Sequence, residues 1–243
     1  KVAATATNPL GGDKTTLKIG TGAVEVPSGL NVKISRAEIG GDALDAKTYK
    51  ARGSAAPGEE CDWVTGAGTV TVLHGKHTWT GAAGNGLWND PDNWGGAVPA
   101  FKDNVTEDVT IAPAQPVEIS IPSGVTIGNL TLDGATATLK GTSWLSVRSI
   151  DAKVAVDIDV PLNLVAPSGQ FASFKFAKGG DIRKQLTAPA WKGWVITGGG
   201  VLHFRGGFIA SSSYILGGYG TAGSTSGEAV HFHGKLTVQE LNW

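Results

Sequence analysis

Asp157 and Asp159 are the first pair of side chains in this sequence that could do chemistry. They lie two residues apart in VAVDIDVPLNL, residues 154–164, so in an extended strand both carboxylates point to one face. Two acids on one sheet face are what a polysaccharide-cleaving site needs as proton donor and as base or nucleophile, and Asp133 or Asp151 would join them if strands align. The same alternation is that of a solvated polar face, which is the simpler reading. His231 and His233 also share a strand face where two imidazoles could ligate a metal, but no third ligand lies near them in the sequence. Asn89-Asp90-Pro91-Asp92-Asn93 concentrates hard oxygen donors that could hold calcium. It lacks the spacing of a calcium loop and suits a turn with a capping acid better. Trp144, Trp191, Tyr214 and Tyr219 are candidate platforms for sugar rings, with end-cap or subunit-interface packing as the alternative. Asn104-Val105-Thr106 and Asn129-Leu130-Thr131 match the glycosylation acceptor pattern. No Ser-His-Asp set, phosphate loop or Cys/His cluster rises above chance, so no catalytic residue, cofactor or metal is assigned.

The elements that would position these groups are strands. Of 243 residues 36 are glycine and only 17% are charged, a composition suited to many short strands joined by tight turns and poor for helices. Twenty basic against 21 acidic residues leave a net charge of −1, which gives no basic field for nucleic acid or an anionic membrane. No apolar run has the length of a membrane span. Cys61 has no intrachain partner, as in secreted bacterial proteins that rely on their core, and equally in cytosolic ones. The chain starts at Lys1 and contains no methionine, the expectation for a processed product or a segment of something longer.

In order along the chain, residues 1–13 are small, polar and aperiodic, an arm or an edge strand awaiting a partner. Alternating strands follow at Thr16-Leu17-Lys18-Ile19, Ala23-Val24-Glu25-Val26 and Val32-Lys33-Ile34. The clearest series runs from residue 108 to 177: Val117 to Ile121, Ile127 to Leu132, Ala137 to Leu139, Leu145 to Val147, 154–164 and Phe171 to Phe176. Their spacing is that of stacked parallel rungs, and the fold class is all-β, a parallel β-solenoid (β-helix), with an antiparallel β-sandwich as the alternative. Beyond Lys178 the spacing is irregular, residues 210–227 form a Gly/Ser-rich loop around a short apolar patch, and two strands close the chain.

The stretch from His77 to Ile111 carries a motif. Trp79-Thr80-Gly81, Gly84 and Gly86, Trp88, Asn93-Trp94, Val98-Pro99 and Asp103, followed by Val109 and Ile111, resemble the opening segment of β-solenoid modules in autotransporter-like passengers and secreted surface repeat proteins of bacteria. Thr48-Tyr49, Asp62-Trp63-Val64, Gly66, Gly68, Thr69, Val70 and Val72 are similar to the close of such a module. The resemblance implies a structural cap made by Trp79, Trp88, Asn93, Trp94 and Pro99, and an extracellular or cell-surface location. Two internal echoes accompany it: Val26-Pro27-Ser28-Gly29-Leu30 with Ile121-Pro122-Ser123-Gly124-Val125, and Trp63 to Gly68 with Trp194 to Gly200. The division expected is therefore the close of a first module over 1–75, a second module over 76–204, and terminal strands over 205–243.

The expected function is non-catalytic: a surface scaffold, adhesin segment or fibre subunit that associates with further copies head-to-tail through strand-capable ends. A carbohydrate-binding or polysaccharide-degrading β-helix is the alternative, with glycans as partners.

Overall fold

Alternation of apolar and polar residues in short runs, each closed by a glycine or proline turn, commits this chain to strands. In the computed structural model about 48% of residues are strand and about 2% helix, and the strands stack in parallel as a β-solenoid of about eight turns. The structure describes residues 16–99, 107–165, 172–188, 194–206, 208–210, 213–216, 229–232, 236–237 and 240–242. Compactness divides the chain into two units, Lys1–Gly84 with Asp90–Pro99, and Asn85–Asn89 with Ala100–Trp243, so the tryptophan-rich stretch contributes to both.

In the first unit Thr16–Ile19, Val24–Glu25 and Asn31–Ile34 form one turn. The next turn lies on it in parallel, with Thr16 opposite Arg36, Val24 opposite Val64 and Asn31 opposite Thr69. Val26, Val32, Ile34, Val70 and Val72 fill the interior at 0–1% exposure, with Leu17, Ile19, Val24 and Leu30 half-buried beside them. Between Ile39 and Val64 this second turn is interrupted by an inserted arm. Thr48–Ala51 turns back to pair antiparallel with Thr69–Val72. Tyr49 anchors the arm: its ring meets Trp63 at a centroid distance of 5.0 Å and its hydroxyl donates to Asp45 O at 3.0 Å. Burial and the neighbouring acids push the Tyr49 hydroxyl's pKa well up.

The second unit repeats a three-strand turn. Asp108–Ile111, Val117–Ser120 and Val125–Thr126 are followed in register by Asn129–Leu132, Ala137–Lys140 and Leu145–Val147, then by Ser149–Ala152, Val156–Asp159 and Leu162–Leu164. The sheets continue through Ala172–Phe176, Gly180–Ile182 and Leu186–Ala188 to Trp194–Gly198, Val201–Phe204 and Phe208–Ala210. Ser213–Leu216, Ala229–Phe232, Leu236–Thr237 and Glu240–Asn242 extend them to the end of the chain. Inward side chains stack rung upon rung: Val109, Leu130, Ile150 and Phe174 in one column, Ile119, Leu139, Ile158, Ile182 and Phe204 in another, all nearly inaccessible. Each stacked aliphatic or aromatic contributes about 1.5–3 kcal/mol through burial. In a third column buried Ala152 lies in register between buried Leu132 and Phe176.

The pairing from turn to turn is parallel, and it replaces the antiparallel sandwich held as the alternative. Antiparallel pairing occurs where the arm of the first unit joins Arg36–Ile39 and Thr69–Val72. Two segments read as single strands, Ile127 to Leu132 and residues 154–164, instead cross a corner each, at Gly128 and at Pro161. The apolar patch of residues 210–227 contains the strand Ser213–Leu216. The Pro-Ser-Gly echo occupies equivalent places, the corner between the second and third strands of a turn in both units. The tryptophan echo does not: Val64–Thr65 is the second strand of its turn and Trp194–Gly198 the first of its own. The 1–13 arm lies outside the described residues.

Candidate functional site

Trp79 and Trp94 owe their position to a single-turn 3-10 helix, Pro91–Trp94. Pro91 presets its first residue, the Asp90 carboxylate accepts the Asp92 N–H at 3.0 Å, and Gly95 closes it in the left-handed region at φ 67°. That brings Trp94 edge-on to Trp79 at 4.9 Å and 82°, and His77 edge-on to Trp94 at 6.4 Å. Buried Asn93 ties the loop on both sides. Its carbonyl accepts the Thr80 N–H at 2.8 Å and its side-chain oxygen the Ala83 N–H at 3.0 Å. Pro99 is buried as well. In the second unit Trp88, 1% exposed, follows Leu87, which bridges to Ser120 on the outer edge of Val117–Ser120; the Trp88 N–H donates to Ser120 O at 2.9 Å and Ser120 N–H to Gly86 O at 2.8 Å. Asp90 is thus engaged as a helix cap, and among the described residues no three His, Cys, Asp or Glu side chains gather as a metal set.

Asp157 and Asp159 do share the outer face of Val156–Asp159, as their spacing requires. Register puts Thr138 and Asp181 beside Asp157, and Lys140 beside Asp159. Both oxygens of Asp157 are taken: Oδ1 accepts from Arg183 Nε at 2.5 Å and Oδ2 from Thr138 Oγ1 at 3.1 Å. Arg183 also lies 3.8 Å from Asp181, which pairs with Arg205, while Lys184 lies 3.7 Å from Asp159 and Lys140 pairs with Glu118. The Asp157 contact raises the pKa of the Arg183 guanidinium. Asp133 and Asp151 do not join this group. Asp151 stands on the neighbouring face between Thr131 and Lys175, and Asp133 sits at a corner where Lys153, 2.8 Å away, holds its carboxyl below the usual carboxylate range. Chemically the arrangement is a ladder of paired opposite charges running across five turns. Asp181, Arg183 and Arg205 were missed in the sequence because the intervals that align them pass through corners of unequal length.

The third outer face is neutral. Thr126 is opposite Ser146, Ser146 opposite Asn163, and Asn163 opposite Thr187. Each is the polar residue of a strand whose neighbours point inward, a signal present in Leu145-Ser146-Val147 and Leu162-Asn163-Leu164 but carried by uncharged side chains. Together with Gly124 and Trp144 they line an open cleft of about 500 Å³. Trp144 is 44% exposed, whereas Trp63, Trp79, Trp88 and Trp94 are at 1–6%. Of the other aromatic candidates, Trp191 and Tyr219 lie outside the described residues. Tyr214 is on the strand opposite Trp194 and Leu241, its side chain likewise outside them. His231 pairs in register with His203, and His233 is outside the described residues.

A parallel β-solenoid with a charged ladder on one face and a neutral cleft on another is the class that fold and site define. No family model matches the chain, and no curated protein or solved structure does. No helix among the described residues is long and apolar enough to cross a membrane.

Proposed function

We propose that this chain is a non-catalytic structural protein of the cell exterior, a surface scaffold, adhesin segment or fibre subunit whose terminal turn adds to a second copy of the chain. The observation that carries the reading is the edge of Thr16–Ile19. Among the described residues that strand pairs with Arg36–Ile39 alone. Gly40 N–H donates to Ile19 O at 3.1 Å, and in this parallel register the N–H and C=O of Lys18 therefore face away from the paired strand. Half-buried Leu17, Ile19, Val24 and Leu30 lie on the same turn, so a strand added there would meet both hydrogen-bonding groups and apolar surface. A contact of this kind is heterologous and propagates unless it closes into a ring. The hydrogen bonds to both oxygens of Asp157 support the non-catalytic half of the reading, since a carboxylate paired with Arg183 and Thr138 is held in a surface ion-pair network.

Light scattering over a concentration series tests it. Mass rising with concentration, and changed by deletion of residues 1–13, is the expected result. A monodisperse monomer at high concentration, the same with and without those residues, would remove the reading.

A further inference from the structure

The neutral cleft on the third face of the second unit has no part in end-to-end association and carries an inference of its own. Its aromatic member stands apart from Trp63, Trp79, Trp88 and Trp94 by exposure: Trp144 keeps 44% of its surface in solvent although it directly precedes Leu145, which is fully buried. The position beside it in the preceding turn is Gly124, as the pairing of Val125 with Leu145 and the hydrogen bond from Val125 N–H to Trp144 O require. Gly124 itself places no side chain over the indole. Beyond it Thr126, Ser146, Asn163 and Thr187 form a column of hydroxyl and amide groups, one per turn, with Asn163 Nδ2 donating to Ser146 Oγ at 3.3 Å. None of the residues lining the cleft is charged.

We infer that this cleft binds a neutral, extended, β-linked polysaccharide, laid along the direction in which the turns stack. Three features select that chemistry. A pyranose ring with equatorial substituents presents a flat face of C–H groups, and an exposed indole is the side chain that matches it in area and polarity. Sugar hydroxyls both donate and accept, as do the Ser and Thr hydroxyls and the Asn amide of the column. The turns repeat every 4.8 Å or so, close to the advance of one pyranose unit along an extended chain, so successive sugars meet successive polar residues in step. The lack of a cation excludes acidic polysaccharides as the preferred ligand. The cleft is open at the surface and so takes an internal stretch of chain rather than a chain end. The site is distinct from the charged ladder and does not depend on the scaffold reading.

The test uses the full chain and measures binding by isothermal titration calorimetry with cellohexaose, xylohexaose, mannohexaose and chitohexaose, with hexagalacturonate as the charged control. Binding of at least one neutral hexamer, about tenfold or more weaker in Trp144→Ala and partly restored in Trp144→Tyr, is the expected result. Gly124→Leu gives an independent variant: a Cβ there meets nothing closer than Trp144 O at 3.9 Å, so the backbone accepts a side chain at this position of the cleft lining. It is expected to abolish binding with an unchanged circular dichroism spectrum and melting temperature. Failure of all four neutral hexamers to bind would overturn the inference. So would binding that both variants leave intact, or a preference for hexagalacturonate.

Discussion

Asp157 and Trp144 are each defined by what lies one turn away. The alternation around Asp157 is plain in the sequence, and it places the carboxylate outward correctly. Its partners Thr138 and Arg183 are not legible there, because the residues that meet across turns are separated by corners of varying length, as the pairings Leu145 with Leu162 and Ile150 with Phe174 make clear. Trp144 could be picked out as an exposed aromatic candidate, but the column of Thr126, Ser146, Asn163 and Thr187 beside it exists only once the register is known. Asp133 offers a test at this scale. Its carboxyl lies below its ordinary value of 3.8 because Lys153 donates to it, so the pair's contribution to stability is complete above that value and is lost as pH falls through the lower folded one. In Lys153→Gln the Asp133 carboxyl, followed by NMR titration, is expected to return toward 3.8. The small loss in urea midpoint expected at pH 7 should diminish as pH falls below the ordinary carboxylate range and through the lower folded value of Asp133. A carboxyl titration unchanged by the substitution would show that Lys153 does not hold it.

At the scale of elements, the strands of the second unit were the easiest part to read, since each inward column needs an apolar residue at alternate positions whatever the turn lengths are. The arm inserted between Ile39 and Val64 was harder. Thr48-Tyr49 reads as a strand, but its antiparallel return to Thr69–Val72 depends on Tyr49 meeting Trp63 and on the hydroxyls of Thr48 and Thr71 meeting at 2.8 Å, contacts that no local pattern encodes. The tryptophan-rich loop lies between these cases: its Pro and Asp signals mark a turn with a capping acid, which the structure completes as the 3-10 helix Pro91–Trp94. Gly86 is the position where that loop is most constrained. Its φ is +67° and a Cβ would come within 2.6 Å of Glu118 O, the backbone beside the Leu87–Ser120 bridge. Gly86→Ala is expected to cost more than about 1 kcal/mol, read as a lower urea midpoint at constant slope. Asn93→Ala, which removes the acceptor of the Ala83 N–H, should cost about 1–2 kcal/mol. If both substitutions left the midpoint unchanged, the loop would not be holding the structure in the way described.

For the molecule as a whole, stacked turns have a consequence that a closed barrel lacks. Each turn is stabilised by its neighbours, so a terminal turn keeps one row of backbone groups and one rim of apolar side chains without a neighbour from its own stack. In the first unit, among the described residues, this row belongs to Thr16–Ile19, with the Lys18 N–H directed away from Arg36–Ile39 and its ammonium paired to Glu38 at 3.0 Å. Lys18→Pro deletes the outward N–H while leaving the hydrogen bonds to Arg36–Ile39 in place, the circumstance in which proline is tolerated on an edge strand. Sedimentation velocity of the full chain and of Lys18→Pro across the same concentration range therefore addresses the central claim directly. Reversible, concentration-dependent growth of the full chain that the proline variant suppresses at unchanged circular dichroism is the predicted result. A full chain that stays monomeric throughout, or that grows equally well with proline at position 18, would contradict it.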